Sequence, residues 1–95
     1  MIRLTELERG PRVAIVRVEG SLIGHGLALL ATELHRYRDE GCDRVVLHVD
    51  GLQSVSHRIQ SGAAWPEGLE VRFLTTRSPL ARLLTGYGLR VDTTS

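Results

Sequence analysis

The sequence predicts a single α/β domain, residues 1–95, with a mixed sheet of four to five strands and flanking helices. Three observations favour this fold class: valine-rich segments of strand length, an apolar stripe at helical spacing, and a buried-type strand in the middle of the chain. The elements follow the order β-β-α-β-(short α)-β-α. Strands joined through helices imply right-handed crossovers and parallel pairing, whereas the first two strands are close enough to form a hairpin.

The two predicted N-terminal strands lie on either side of a Gly-Pro turn. Residues 2–8 alternate apolar and polar side chains, as a half-buried strand does, and residues 13–19 are rich in valine. Gly10 and Pro11 separate them and favour a turn, so we expect an antiparallel hairpin. A glycine-rich connection, Gly20–Gly26, is predicted to follow the second strand.

The first helix is predicted from about His25 to Glu40, because apolar residues recur there at helical spacing and Gly41 can end it. The following strand, Val45–Val49, is apolar on nearly every position, which is typical of an interior parallel strand.

The second half of the chain is less regular. Residues 51–67 leave room only for a short helix, from Ser56 to Ala64, before the Trp65-Pro66 loop. A strand is then predicted at residues 69–76. Ser78 as the cap and Pro79 as the first helical residue predict the last helix.

Composition excludes several classes of function. The chain is 42% hydrophobic and 24% charged, with a net charge of +1, so it lacks the strongly basic balance that nucleic-acid binding usually shows. No apolar run approaches the roughly 20 residues that span a bilayer, and no signal peptide is predicted. Cys42 is the only cysteine, which excludes an intrachain disulfide and favours a reducing, cytoplasmic compartment.

Three local sequences, in this order, resemble the STAS family, the domains shared by sulfate transporters and anti-sigma-factor antagonists. Val16–Gly20 is similar to the strand that ends in glycine in this family. Leu47–Leu52 is similar to the central strand with its Asp-Leu-Ser-Gly-like turn, and Leu83–Leu89 to the leucine-rich closing helix. The resemblance covers nearly the whole chain from about Val13 and implies a STAS-like fold.

The resemblance implies a bacterial, non-enzymatic regulatory module that docks a protein partner, either an anti-sigma factor or kinase or a transporter component. Aligned from Gly51, the family's Asp-Ser-Ser-Gly motif falls on Ser56–Ile59, and His57 occupies the position of the regulatory serine. The residues expected to bind the partner through loops at one end of the sheet are Gly24, His25, Ser54, Ser56, His57 and Arg58.

Two alternative functions remain open. One is a phosphoswitch, an anti-sigma-factor antagonist with Ser56 as the candidate phosphoacceptor or Ser54 in its place. The other is a small-ligand or nucleotide binder that uses Gly20–Gly26, although this segment fits neither the P-loop nor the Gly-x-Gly-x-x-Gly pattern. A homodimer is a further expectation, because a shortened second helix leaves apolar surface for a second copy to cover.

Other chemistry is not predicted. The four histidines show no metal-ligand spacing, so no metal and no cofactor are expected. No nucleophile-elbow Gly-x-Ser-x-Gly is present, which disfavours hydrolase activity. Trp65 either anchors an interface or folds back to cover the sheet beside the short helix, and covering the sheet is the favoured interpretation.

Overall fold

The computed structural model describes residues 1–61 and 65–93, and the side chains of all of these except Gln60 and Ser61. Within these residues, five strands, two α-helices and one 3-10 helix follow one another in the predicted order, with a short fifth strand after the last helix. Their bounds are β1 Ile2–Arg9, β2 Val13–Leu22, α1 His25–Asp39, β3 Arg44–Val55, the 3-10 helix His57–Ser61, β4 Glu70–Thr75, α2 Ser78–Gly86 and β5 Val91–Thr93.

The five strands form one mixed sheet in the order β1-β2-β3-β4-β5. β1 is antiparallel to β2, and every later neighbour is parallel. The predicted α/β class, the opening hairpin and the mixed sheet are therefore confirmed. All four parallel strands end at the same side of the sheet, and we call this side the carboxyl edge: Leu22–His25, Asp50–Arg58 and Thr75–Pro79.

The core lies on one face of the sheet. Val16 of β2 pairs with Leu47 of β3, which pairs with Phe73 of β4, and all three are buried. Leu30 and Leu34 of α1 and Leu80 and Leu84 of α2 complete the same cluster. The opposite face of the sheet is more accessible to solvent. Its paired residues Arg17, His48 and Leu74 are exposed or half-buried.

Both α-helices end in a Schellman motif. In α1 the N–H of Gly41 donates to Arg38 and that of Cys42 to Tyr37, while in α2 the N–H of Gly88 donates to Thr85 and that of Leu89 to Leu84. The φ angles of Gly41 and Gly88 are 101° and 83°, which glycine adopts without a steric penalty. The predicted role of Gly41 as the end of α1 is confirmed.

Strand lengths differ from the prediction at two places. β2 continues through Gly20 to Leu22, so the predicted loop Gly20–Gly26 is reduced to Ile23-Gly24 before α1 begins. β3 continues from the predicted end at Val49 to Val55, because its distal half pairs with the distal half of β2. Polar residues and glycines in an extended strand carry no apolar pattern, so the sequence indicated a turn.

The short helix predicted from Ser56 to Ala64 is a single 3-10 helix, His57–Ser61, and residues 62–64 lie outside the described residues. Trp65 packs half-buried on the core, edge-on to the ring of Phe73 with the ring centroids 6.3 Å apart. The favoured interpretation of Trp65, a side chain that covers the sheet, therefore agrees with the structure.

Candidate functional site

The carboxyl edge brings together the residues that were predicted from two distant segments. Ser21 pairs with Ser54 and Leu22 with Val55, and the N–H of Ser56 donates to the carbonyl of Leu22 at 2.9 Å. Because the ends of β2 and β3 are hydrogen-bonded, the residues that follow each strand emerge side by side. Gly24 and His25 therefore lie beside the predicted segment Ser54–Arg58.

The β2–α1 connection is short and ordered by its own backbone. Ile23 accepts a hydrogen bond from the N–H of Gly26 at 2.9 Å, and Gly24 is the N-cap of α1 and accepts from Leu27 and Ala28. Gly24 and His25 are exposed, and Ile23 is 50% exposed. An apolar side chain is therefore presented to solvent next to the first turn of a helix.

The turn after β3 is held by Ser56. Its hydroxyl oxygen accepts a hydrogen bond from the N–H of Arg58 at 3.1 Å, and its carbonyl accepts from the N–H of Ile59. Ser56 is half-buried, whereas His57 and Arg58 are exposed and Ser54 is exposed on the strand before them. The hydroxyl of Ser56 thus has a local structural role at the start of the 3-10 helix.

Sequence reasoning missed a hydrogen-bond network that joins β3 to α2. The Asp50 carboxylate accepts from the Thr75 hydroxyl at 2.5 Å and from the N–H and hydroxyl of Thr76. These hydrogen bonds, with that of Thr75 first, lower the pKa of Asp50 below its usual value. The guanidinium of Arg77 donates to the backbone carbonyls of Asp50 and Leu52 at 3.0 and 2.7 Å.

This network fixes the start of α2 against the distal half of β3. It leaves a small pocket between them, which we call the α2 pocket, with a volume of about 190 Å³. Its wall from β3 consists of residues 52–55, and its wall from α2 includes Pro79, Leu80 and Leu83. The sequence signal that could have indicated this pocket is Asp50 followed, 25 residues later, by adjacent threonines at the end of the next strand.

A larger groove lies away from the predicted site, beside Trp65. It has a volume of about 530 Å³ and is lined by Trp65, Leu69, Phe73 and Leu89, with Glu70 and Arg90 among its polar residues. Glu70 and Arg90 form an ion pair at 2.9 Å. None of the predicted partner-binding residues lines this groove.

The titratable residues that the structure describes are not clustered as metal ligands would be. No group of three or more histidine, cysteine or carboxylate side chains is placed to hold a metal ion among residues 1–61 and 65–93. His25, His35 and His57 are exposed, and His48 is half-buried in β3. None of the described helices is long and apolar enough to cross a bilayer.

Comparison with solved structures places this arrangement in a known fold. The chain is similar over 100% of its length to the anti-sigma factor antagonist SpoIIAA in its unphosphorylated form, of which it covers 89%, with a TM-score of 0.72 and 11% sequence identity. No protein-family model and no curated protein matches the sequence. The predicted resemblance is thus confirmed at the level of structure: the chain adopts the STAS fold.

Proposed function

We propose that this chain is a non-enzymatic regulatory module that docks a protein partner through the carboxyl edge. The observation that carries the proposal is that Gly24 and His25, from one segment, meet Ser54–Arg58, from another, at one end of a STAS fold. The similarity to an anti-sigma factor antagonist favours an anti-sigma factor or kinase as the partner, and the resemblance to the STAS family adds a transporter component as the alternative. The compartment proposed with it is the bacterial cytoplasm.

The physical character of the edge supports docking. Ile23 at the edge is 50% exposed, and Leu83 in the wall of the adjoining α2 pocket is 42% exposed, so two large apolar side chains face solvent. Backbone hydrogen bonds hold the turns around Gly24 and Ser56, so little conformational entropy would be lost when a partner binds. A preorganised surface with exposed apolar anchors and a polar rim is typical of a transient protein interface.

Site-specific photo-crosslinking tests the proposal. A photoreactive amino acid is placed at Ile23 or His57, and in a matched control at Leu7, which is 41% exposed near the opposite end of the hairpin. The labelled chains are expressed in the source cell and irradiated. We expect one protein to be crosslinked from Ile23 and His57 and not from Leu7. The absence of any edge-specific adduct would contradict the proposal.

Intact-mass measurement distinguishes a phosphorylated antagonist from a docking module that is not phosphorylated. The hydroxyl oxygen of Ser56 accepts a hydrogen bond from the Arg58 N–H and the residue is half-buried, which disfavours Ser56 as a phosphoacceptor. We expect no mass increase after incubation with the serine kinase that accompanies such antagonists. An increase of one phosphate that is lost in Ser56→Ala but retained in Ser54→Ala would establish the switch.

A further inference from the structure

We infer that the groove beside Trp65, which we call the Trp65 groove, is a binding site for a small aromatic carboxylate. It lies where β3, β4 and β5 begin, at the end of the sheet opposite the carboxyl edge. The inference goes beyond the proposed function and does not depend on it. Three features carry it: the apolar walls of the groove, its size, and an arginine at its rim whose charge is only partly compensated.

The floor of the groove is a strip of the core face of the sheet. Val71 and Phe73 of β4 pair with Val45 and Leu47 of β3, which are fully buried core residues. Phe73 is buried as well, but Val71 and the adjoining Leu89 are only half-buried. The helices α1 and α2 pack on this face, whereas the described part of the connection between β3 and β4 contributes only a 3-10 helix of five residues. Apolar surface therefore remains for a ligand to cover.

Trp65 provides an aromatic wall. Its indole N–H donates to the carbonyl of Ile59, at a long 3.5 Å, and Ile59 does not line the groove. The ring stands edge-on to Phe73, and part of it stays accessible because Trp65 is half-buried. Aromatic rings pack well in offset or edge-on contact with one another. The volume of about 530 Å³ lies within the roughly 300–1,000 Å³ of usual small-molecule sites.

The charge at the rim selects an anion. Arg90 is the one cation of the described lining, its side chain is 67% exposed, and among the described residues it forms an ion pair with Glu70 alone. Glu70 is shared, because Arg44 and Arg72 also pair with it, at 2.6 and 3.2 Å. One carboxylate therefore serves three guanidinium groups, and it compensates only part of the charge of Arg90.

The other carboxylates at this end of the sheet are bound to further arginines. Asp43, which also lines the groove, pairs with Arg12 at 2.8 Å, and Asp92 pairs with Arg72 at 3.2 Å. The ion-paired cluster of described residues thus holds four arginines and three acidic residues. The excess of one positive charge favours a ligand with one negative charge.

The residues next to the lining leave this excess unchanged. The Nε of Arg38 donates to the carbonyl of Glu67 at 3.1 Å, so these two neighbours add one charge of each sign. Residues 62–64 are glycine and alanine and carry no charge. A carboxylate that accepts from the guanidinium of Arg90, while its aromatic body packs on Trp65, therefore matches both the charge and the walls of the groove.

Nuclear magnetic resonance tests the inference with defined probes. The full chain is labelled with ¹⁵N and titrated with indole-3-acetate, with the neutral indole-3-acetamide and with the cationic tryptamine. Trp65 is the only tryptophan, so its indole N–H gives a single resonance that reports on the groove. We expect indole-3-acetate to shift this resonance and those of Gly68 and Gly88, with a dissociation constant of about 0.1–1 mM for so small a ligand. Gly24, at the carboxyl edge, should not shift, and the other two probes should bind more weakly.

Arg90→Gln separates charge from apolar contact. It should weaken the binding of indole-3-acetate about 2–5-fold and leave that of indole-3-acetamide unchanged, since only the ion pair with the probe is removed. Arg82→Gln, at an exposed position of α2 outside the lining, is the matched control and should change neither. Circular dichroism of both variants confirms folding, which is expected because both side chains are exposed.

Four results would overturn the inference. These are no shift of the Trp65 indole resonance at the solubility limit of the probe, shifts confined to residues outside the lining, equal or tighter binding of tryptamine, or binding of indole-3-acetate that Arg90→Gln leaves unchanged. The Trp65 groove and the carboxyl edge have no residue in common. Failure of the probes therefore leaves the edge crosslinks unaffected, and absence of crosslinks leaves the ligand site standing.

Discussion

Asp50 and Thr76 are joined by two hydrogen bonds, from the Thr76 N–H at 2.8 Å and from the Thr76 hydroxyl at 2.9 Å, both to the Asp50 carboxylate. With the bond from Thr75, they fasten the end of β4 to the middle of β3, where the two strands no longer pair in register. The orientation of α2, and with it the α2 pocket, depends on this carboxylate.

Asp50→Asn should lower the free energy of unfolding by about 1–2 kcal/mol. An amide accepts at one atom and presents donors at the other, so one of the three donors loses its partner, and the solvent exposure of Asp50 limits the loss. Urea denaturation followed by circular dichroism measures the change. Asp39→Asn, at the exposed end of α1, is the control and should be nearly neutral. Equal stability of the two variants would contradict a fastening role for Asp50.

The same carboxylate predicts a pH dependence. Hydrogen bonds from Thr75 and Thr76 lower the pKa of Asp50 in the folded state below its ordinary value of 3.8. Its contribution to stability is therefore fully present above that value and is lost as the pH falls through the lower, folded-state pKa. We expect the stability gap between the wild type and Asp50→Asn to stay constant from about pH 7 to pH 5 and to narrow below about pH 4. A gap that does not narrow at low pH would count against the charge as its source.

The sequence predicted that Asp50 directly follows the buried strand Val45–Val49, but it did not predict which residues donate hydrogen bonds to the Asp50 carboxylate. Thr75 and Thr76 are 25 and 26 residues downstream, and they face Asp50 only because β3 and β4 pair in the observed register. Register between parallel strands is set by packing of the whole core rather than by a local signal. The predicted site therefore contained the turn residues around Ser56 but not the network around Asp50.

Trp65→Ala should destabilise the fold by about 2–3 kcal/mol, less than the loss of a fully buried tryptophan, because part of the Trp65 side chain is exposed to solvent. The edge-on contact with Phe73 would be lost and the adjoining groove enlarged. Trp65→Phe should retain about half of this stabilisation. Leu29→Ala, at a 44% exposed position, is the control and should change stability by less than about 0.5 kcal/mol. If Trp65→Ala matches Leu29→Ala in urea denaturation, Trp65 does not cover the core.

Tyr37 should ionise at a higher pH than an exposed tyrosine. The guanidinium groups of Arg9 and Arg36 lie over its ring, 5.2 and 4.6 Å from the centroid, and its hydroxyl donates to Glu6 at 2.8 Å. Burial, followed by this hydrogen bond, raises the pKa of Tyr37 from 10.0 to about 12. The neutral phenol therefore stabilises the fold below about pH 10, and this stabilisation is lost as the pH rises towards 12.

Ultraviolet difference titration of Tyr37→Phe tests this assignment. The variant should lack the phenol that ionises near pH 12 and should be about 1 kcal/mol less stable at neutral pH, since it loses one hydrogen bond. Tyr87→Phe is the control, because the hydroxyl of Tyr87 makes no hydrogen bond to any residue that the structure describes. If the late ionisation persists in Tyr37→Phe and disappears in Tyr87→Phe, the assignment is wrong.

The sequence predicted the strand β2 and the helix α1 but not the length of the glycine-rich connection between them. Five apolar or β-branched residues identify β2 up to Val18, and the apolar stripe identifies α1 from Leu27. Between them, the glycines are equally compatible with a mobile turn and with closely packed backbone. Only the structure shows that β2 continues to Leu22 and that α1 begins two residues after Ile23.

Gly26 is required by the close approach of α1 to β2. A Cβ atom at Gly26 would lie 2.4 Å from the carbonyl oxygen of Ser21, a rigid backbone atom, so Gly26→Ala must move the first turn of α1 away from the strand. We expect a loss of at least about 2 kcal/mol in urea denaturation. Gly86→Ala is the matched control at the end of α2, where a Cβ meets nothing within 4 Å, and it should be neutral or stabilising by up to about 1 kcal/mol.

Because the displaced turn carries Gly24 and His25, Gly26→Ala should also reduce photo-crosslinking from Ile23 while Gly86→Ala leaves it intact. Equal stability and equal crosslinking in the two variants would show that α1 does not sit against β2 in this way.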